Sequence, residues 1–243
     1  MTMRRFPFFK SNGRSRLPRA IYLMPTLNCN LNCVMCDVDT RSDTDKELAP
    51  ADYERLLGEL NTWRRRPYFY IGGGEPLIYR HFNELMRIIN RNRYEVMVNT
   101  NGMLLSRFAR TIMDNDIKIL IISIDGREKT HNEIRRNNAS FSSIVSGINE
   151  INNLKKKKGT SRPLIVVSNV VLPQNYREYY EFLKELNGLH IHAITIHPLK
   201  YITSSQYEAQ KRFVEGAFGK GHYYFPRMRV WDDLDIDGEA FAK

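Results

Sequence analysis

The chain has 243 residues, of which 42% are hydrophobic and 11% aromatic; this is enough to bury a sizeable core and excludes a disordered chain. No run of about 18 apolar residues occurs, which excludes a helical membrane span. The formal net charge is +10, gathered in Arg4-Arg5, Arg64-Arg65-Arg66 and Lys155 to Lys158, while Asp232, Asp233, Asp235, Asp237 and Glu239 make the tail acidic. Each basic run abuts a predicted helix terminus, so we read them as solvated helix ends and loops and do not expect a nucleic-acid partner.

Residues 1–18 read as a basic arm without the apolar core of a secretory signal. Ala20 to Met24 is predicted as a strand before Pro25. The stretch Leu27 to Asp37 follows, with Cys29, Cys33 and Cys36. A helix is expected from Pro50, a favoured first-turn residue, through Tyr53, Leu56, Leu57 and Leu60. Tyr68 to Ile71 is the second strand, ended by Gly72-Gly73-Gly74-Glu75-Pro76. His81 to Ile89 is an amphipathic helix, and Tyr94 to Val98 a strand closed by Asn99-Thr100-Asn101-Gly102. Leu104 to Met113 is helical. Ile117 to Ile124 is nearly all apolar and is expected to be buried on both faces, with Ser123 and Asp125-Gly126 at its end. A helix over Ser142 to Lys157, a strand over Leu164 to Val171, a helix over Asn175 to Leu186 and a strand over Ile191 to Ile196 complete the pattern, which leads to His197-Pro198. A last helix spans Gln206 to Phe218. Tyr223, Tyr224, Phe225 and Trp231 beyond it are too many aromatics to leave exposed without a partner.

Strands and helices thus alternate six times, which predicts βαβ units and a parallel sheet with right-handed crossovers. Polar and glycine-rich groups follow the strands, as in a barrel whose site lies at its C-terminal face. Periodicity alone leaves a doubly wound open sheet as the alternative.

The composition holds three cysteines in all, every one within an eight-residue window. An odd number cannot pair fully as disulfides. Soft thiolates at close spacing suit zinc or an iron–sulfur cluster. Structural zinc wants four protein ligands, and the nearest histidine in sequence is His81. A cubane cluster on three thiolates leaves one iron open to a small molecule.

Cys-x3-Cys-x2-Cys resembles the signature of the radical S-adenosylmethionine (SAM) enzymes. Met35 departs from the aromatic residue often found there, and a methionine still offers soft, polarisable contact. The resemblance implies a [4Fe-4S] cluster on Cys29, Cys33 and Cys36, whose open iron chelates SAM. The reduced cluster then releases a 5′-deoxyadenosyl radical that abstracts hydrogen from a substrate. It also implies an α/β fold, a partial (β/α)6 TIM-like barrel over residues 19–198, with a basic N-terminal arm and a short C-terminal extension, 199–243. An electron donor such as flavodoxin or ferredoxin and a reducing, cytoplasmic setting belong with it.

Gly73-Gly74-Glu75-Pro76 matches the family's Gly-Gly-Glu-Pro motif, which holds the methionyl amino group of SAM; glycines there let backbone approach a ligand. Asn99, in the Asn-Thr-Asn-Gly stretch, is a further SAM-side candidate, with a simple turn as the alternative. Ser123-x-Asp125-Gly126 with His131 and Arg135 resembles the pattern of family members that carry a C-terminal SPASM-type cluster domain. It implies that Ser123 and Arg135 hold SAM ribose or carboxylate. His131 is read as a packing or helix-start residue. Asn169 on the fifth strand is a SAM-side candidate that needs hydrogen bonds if buried, and His197-Pro198-Leu199 is a candidate flank for adenine.

This pattern leans toward peptides, proteins or cofactor precursors as substrates. A glycyl-radical activating enzyme is the alternative among enzymes; an iron–sulfur or zinc module gripping nucleic acid is the alternative outside them. The resemblance also implies a downstream cysteine-rich domain, yet no cysteine follows Cys36. The extension is therefore expected either to cover the barrel mouth of a stand-alone core or to begin a missing domain. No residue is assigned to the chemical step.

Overall fold

The computed structural model describes residues 17–36, 47–200 and 203–218. The basic arm up to residue 16, Asp37, the late aromatic cluster and the acidic tail lie outside the described residues.

Six parallel strands form one sheet: β1 (Ala20–Leu23), β2 (Tyr68–Ile71), β3 (Val96–Thr100), β4 (Ile119–Ser123), β5 (Leu164–Val171) and β6 (Ala193–Pro198). They are ordered in space as in sequence, each paired with the next, and the sheet is not closed. A doubly wound sheet reverses its strand order part-way. An unreversed series of right-handed crossovers keeps the helices on one face, which is the geometry of a partial barrel.

Among the described residues seven α-helices connect and follow the strands: α1 (Pro50–Leu60), α2 (Phe82–Arg91), α3 (Leu105–Asp114), α4 (Glu128–Arg135), α5 (Ser140–Lys158), α6 (Tyr179–Asn187) and α7 (Ser204–Phe218). Apolar residues at helical spacing set their buried faces. In α2, Phe82, Leu85, Met86 and Ile89 are buried; in α5, Ile144, Ile148 and Ile151 are buried, with Gly147 set against Leu105 of α3. The lysine run ends α5, where cations complement the helix dipole. Gly159 terminates the helix at φ +61°, a left-handed cap that glycine adopts without strain.

Three expectations need correction. The third strand begins two residues later than expected, so Asn99 and Thr100 are its last residues rather than the turn beyond it. The fourth strand is not buried on both faces: Leu120 and Ile122 are buried, but Ile119 and Ile121 are only partly so. Among the described residues the helices pack on the outer face of an unclosed sheet, so the inward-facing positions of this strand are less covered. Helix α4, short and largely polar, was not expected at all; its His131, Ile134 and Arg135 are nonetheless buried.

Candidate functional site

The cysteine loop follows β1 at the C-terminal end of the sheet. Three sets of backbone hydrogen bonds hold it. Gly74 N–H donates to Thr26 O at 3.0 Å and Glu75 N–H to Asn28 O at 2.8 Å, which carries β1–β2 pairing into the two loops. Val34 N–H donates to Ile134 O in α4 at 3.0 Å. Cys36 N–H closes a turn onto Cys33 O at 3.3 Å.

Gly73 and Gly74 line the cavity and are also needed for close backbone packing. A Cβ on Gly74 would lie 2.0 Å from Asn28 O, and one on Gly73, at φ +110°, would lie 2.8 Å from Thr26 O. The close approach that these glycines permit is that of the cysteine-bearing backbone. Pro76 is buried and starts a short 3-10 turn, Pro76–Ile78; it does not line the cavity.

Glu75 is buried beneath both loops. Its Oε1 accepts from Leu77 N–H at 3.0 Å and Thr100 Oγ1 at 2.7 Å, and its Oε2 from Asn101 N–H at 2.7 Å. Burial pushes its carboxyl above the ordinary range, against the pull of these three donors. Glu75 is therefore the tie between the β2 and β3 loops. From the latter, Asn101 Nδ2 reaches Asn30 Oδ1 at 2.7 Å and Cys29 Sγ at 3.7 Å.

A cavity of about 350 Å³ opens beside the three thiols, a size suited to a small-molecule ligand. Cys29, Cys33, Cys36, Gly73, Gly74, Asn99, Ser123 and Arg135 all line it, as do Met35 and the His197-Pro198-Leu199 stretch. Asn99 Oδ1 is buried and has no hydrogen-bond partner, an acceptor fitted to an amino group brought in by a ligand. Burial pushes the thiols of Cys29 and Cys33 up; the Leu31 N–H, at 3.4 Å from Cys29 Sγ, and the Arg135 guanidinium pull in the opposite direction.

Asn169 is not brought to this cavity. Strand parity turns it to the helix side, where Nδ2 donates to Ile124 O at 3.0 Å and Oδ1 accepts from Tyr179 Oη at 2.7 Å. Its neighbours Ser168 and Val170 line the cavity instead, and Ser168 pairs in register with Ser123. Period-two alternation, counted from Ser123 across the sheet, was the signal that would have found Ser168. His131 is a packing residue: it is fully buried, accepts from Asp125 N–H at 3.1 Å and meets Ser140 Oγ at 2.9 Å.

Sequence reasoning placed Asp125 in a motif but gave it no role of its own; it is fully buried. Its Oδ1 accepts from Val170 N–H at 2.9 Å, its backbone oxygen from Asn175 Nδ2 at 2.7 Å, and its Oδ2 forms an ion pair with Arg135. Arg135 Nη1 lies 3.6 Å from Cys33 Sγ. Burial opposes the guanidinium charge, but Asp125 and Cys33 outweigh it and hold its pKa above the usual value.

The sequence profile of the radical SAM superfamily matches residues 23–186. The chain belongs to that superfamily. Radical SAM enzymes use a [4Fe-4S] cluster and SAM. One relative is the tungsten-containing aldehyde ferredoxin oxidoreductase cofactor-modifying protein of Pyrococcus furiosus. It is 23% identical over 188 residues, or 76% of this chain and 53% of that protein. Another is the mycofactocin maturase MftC of Mycolicibacterium smegmatis, 30% identical over 53% of this chain and 33% of that protein. Among solved structures, SuiB of Streptococcus suis bound to SAM superposes with a TM-score of 0.65 at 15% identity. The match covers 83% of this chain and 48% of SuiB. SuiB bound to the precursor peptide SuiA matches at 0.64 over 86% of this chain and 48% of SuiB. The chain thus spans between about a third and about half the length of these relatives.

The donor set fits the family's cofactors. Three soft thiols border one cavity, a donor set suited to an iron–sulfur cluster.

Proposed function

We propose that this chain is the SAM-cleaving core of a peptide- or protein-modifying radical SAM enzyme. Cys29, Cys33 and Cys36 hold the cluster in this reading. Gly73 and Gly74 shape its rim, Glu75 and Pro76 hold that loop from beneath, and Asn99 and Ser123 receive the amino and ribose groups of SAM. Bound together, cluster and SAM supply one-electron reduction of a sulfonium and, from it, hydrogen abstraction. The residues of this chain position and shield those groups. Glu75 fixes the relation of the β2 and β3 loops, Asn101 braces Cys29, and Met35 with Pro198 and Leu199 supplies apolar cover. Core and extension divide at about residue 198, where β6 ends.

The observation that carries the reading is the meeting of all three thiols, the orphaned Asn99 oxygen and Ser123 on one cavity at the C-terminal sheet end. The peptide class is supported by SuiB, a fold neighbour solved with a precursor peptide. Among the described residues no helix is long and apolar enough to cross a membrane. A cytoplasmic setting and a ferredoxin- or flavodoxin-type donor belong to the same proposal. The test uses reconstituted chain, SAM, reductant and a uniformly deuterated peptide pool. Deuterium entering 5′-deoxyadenosine is the expected result. Product free of deuterium, with label transferred only from cofactor precursors, would overturn the peptide class.

A further inference from the structure

The Arg135 guanidinium is committed on two sides before any ligand arrives. One nitrogen pairs with Asp125 and another sits 3.6 Å from Cys33 Sγ. Neither neighbour is free to drift. Asp125 is pinned by Val170 N–H and Asn175 on the β5 side, at 2.9 and 2.7 Å, and by His131 on its own backbone N–H. The cysteine loop is stapled to the turn of α4 that carries Arg135, through Val34 N–H to Ile134 O. The fold thus fixes a cation and an N–H donor against one particular thiol, in a place where Arg135 is only 8% exposed.

We infer that Arg135 is a cluster-tuning residue, positioned by Asp125, that donates to the Cys33 thiolate and raises the reduction potential of the cluster. The inference rests on the reading that Cys33 is a cluster ligand. Reduction adds one negative charge to the cluster. A buried cation and an N–H···S hydrogen bond stabilise the more negative state more strongly. Hydrogen bonds to cluster sulfurs are among the determinants that spread iron–sulfur potentials over a wide range. This role differs from holding SAM, because it operates with no SAM present.

The experiment is a potentiometric titration of the reconstituted, SAM-free protein, followed by electron paramagnetic resonance, with iron and sulfide counted in each sample. Arg135→Gln removes the cation. Because it strands the buried Asp125 carboxylate, a change that is strongly destabilising, the double variant Asp125→Asn/Arg135→Gln is measured beside it. Both are expected to hold a full cluster; at a fixed potential Arg135→Gln should show at least a tenfold lower reduced-to-oxidised ratio, and the charge-neutral double variant a smaller fall in the same direction. For a one-electron couple the tenfold change is 59 mV. Arg135→Lys, which keeps the charge, is expected to recover most of the shift. An unchanged potential in a fully loaded Gln variant would overturn the inference, as would equal shifts for Lys and Gln. Loss of the cluster from both Gln variants overturns it too, since the pair would then serve assembly. Wild-type protein that fails to take up a cluster refutes the functional reading itself, a separate outcome.

Discussion

Replacing Gly74 by alanine tests how the cysteine loop is held. The new Cβ would stand 2.0 Å from Asn28 O and 2.6 Å from Leu27 C, whereas real contacts of this kind begin at about 3.0 Å. The obstacle is backbone, so it cannot swing aside as a side-chain tip would. The loop must retreat by roughly 1 Å, and at that displacement the bonds from Gly74 N–H and Glu75 N–H to Thr26 O and Asn28 O are strained or lost. Two backbone hydrogen bonds at roughly 1 kcal/mol each give a destabilisation of about 2 kcal/mol. The same retreat moves Cys29, one residue on. Gly74→Ala is therefore expected to lower the denaturation midpoint in urea and to cut iron and sulfide uptake on anaerobic reconstitution. Gly58→Ala is the control: nothing lies within 4 Å of a Cβ there, on helix α1, so it should gain about 0.5–1 kcal/mol. Gly74→Ala with wild-type stability and a full cluster would refute the reasoning.

The buried His131 sets a pH dependence. Burial lowers its pKa to about 3, with Arg135 adding to the effect; the unfolded chain binds the proton near pH 6.5. The unfolded state therefore gains protons first as pH falls, and stability drops from about pH 6.5 toward 3, by about 2 kcal/mol at pH 5. Urea melts at pH 7 and pH 5 check this, and His131→Asn should flatten the difference. Glu75→Gln keeps shape but turns an acceptor toward a donor among Leu77, Thr100 and Asn101. It should cost about 1–3 kcal/mol, read as a lower thermal midpoint. Asn99→Leu fills the cavity wall without touching the thiols, so SAM affinity should fall, by isothermal titration, while iron content stays at the wild-type level.

Much of this arrangement was legible in the sequence, because local rules govern it. The cysteine spacing, the strand Tyr68–Ile71 and the helix start at Pro50 are set by neighbours in the chain, and the structure places them as read. What escaped depends on which side of the sheet a residue faces. Asn169 and Ser168 are adjacent and both polar; only strand register decides that the serine meets the cavity. The role of Asp125 was hidden for a similar reason. Its partners Arg135, Val170 and Asn175 lie 10 to 50 residues away in sequence, and no periodicity links them. Helix α4 was missed because its few apolar side chains give no stripe, although polar His131 and Arg135 are buried by tertiary contacts. Gly74 was recognised as a place of close approach, but the sequence did not show that the backbone of Leu27 and Asn28 is among what approaches it.

In the proposed function, three cysteines of this chain build a cluster that cleaves SAM. The direct measurement is 5′-deoxyadenosine formation by the anaerobically reconstituted, dithionite-reduced chain supplied with SAM, run in parallel on Cys33→Ala. The account predicts product from the former and none from the latter. Product from the Cys33→Ala protein, or none from a chain shown to hold a full [4Fe-4S] cluster, would contradict it.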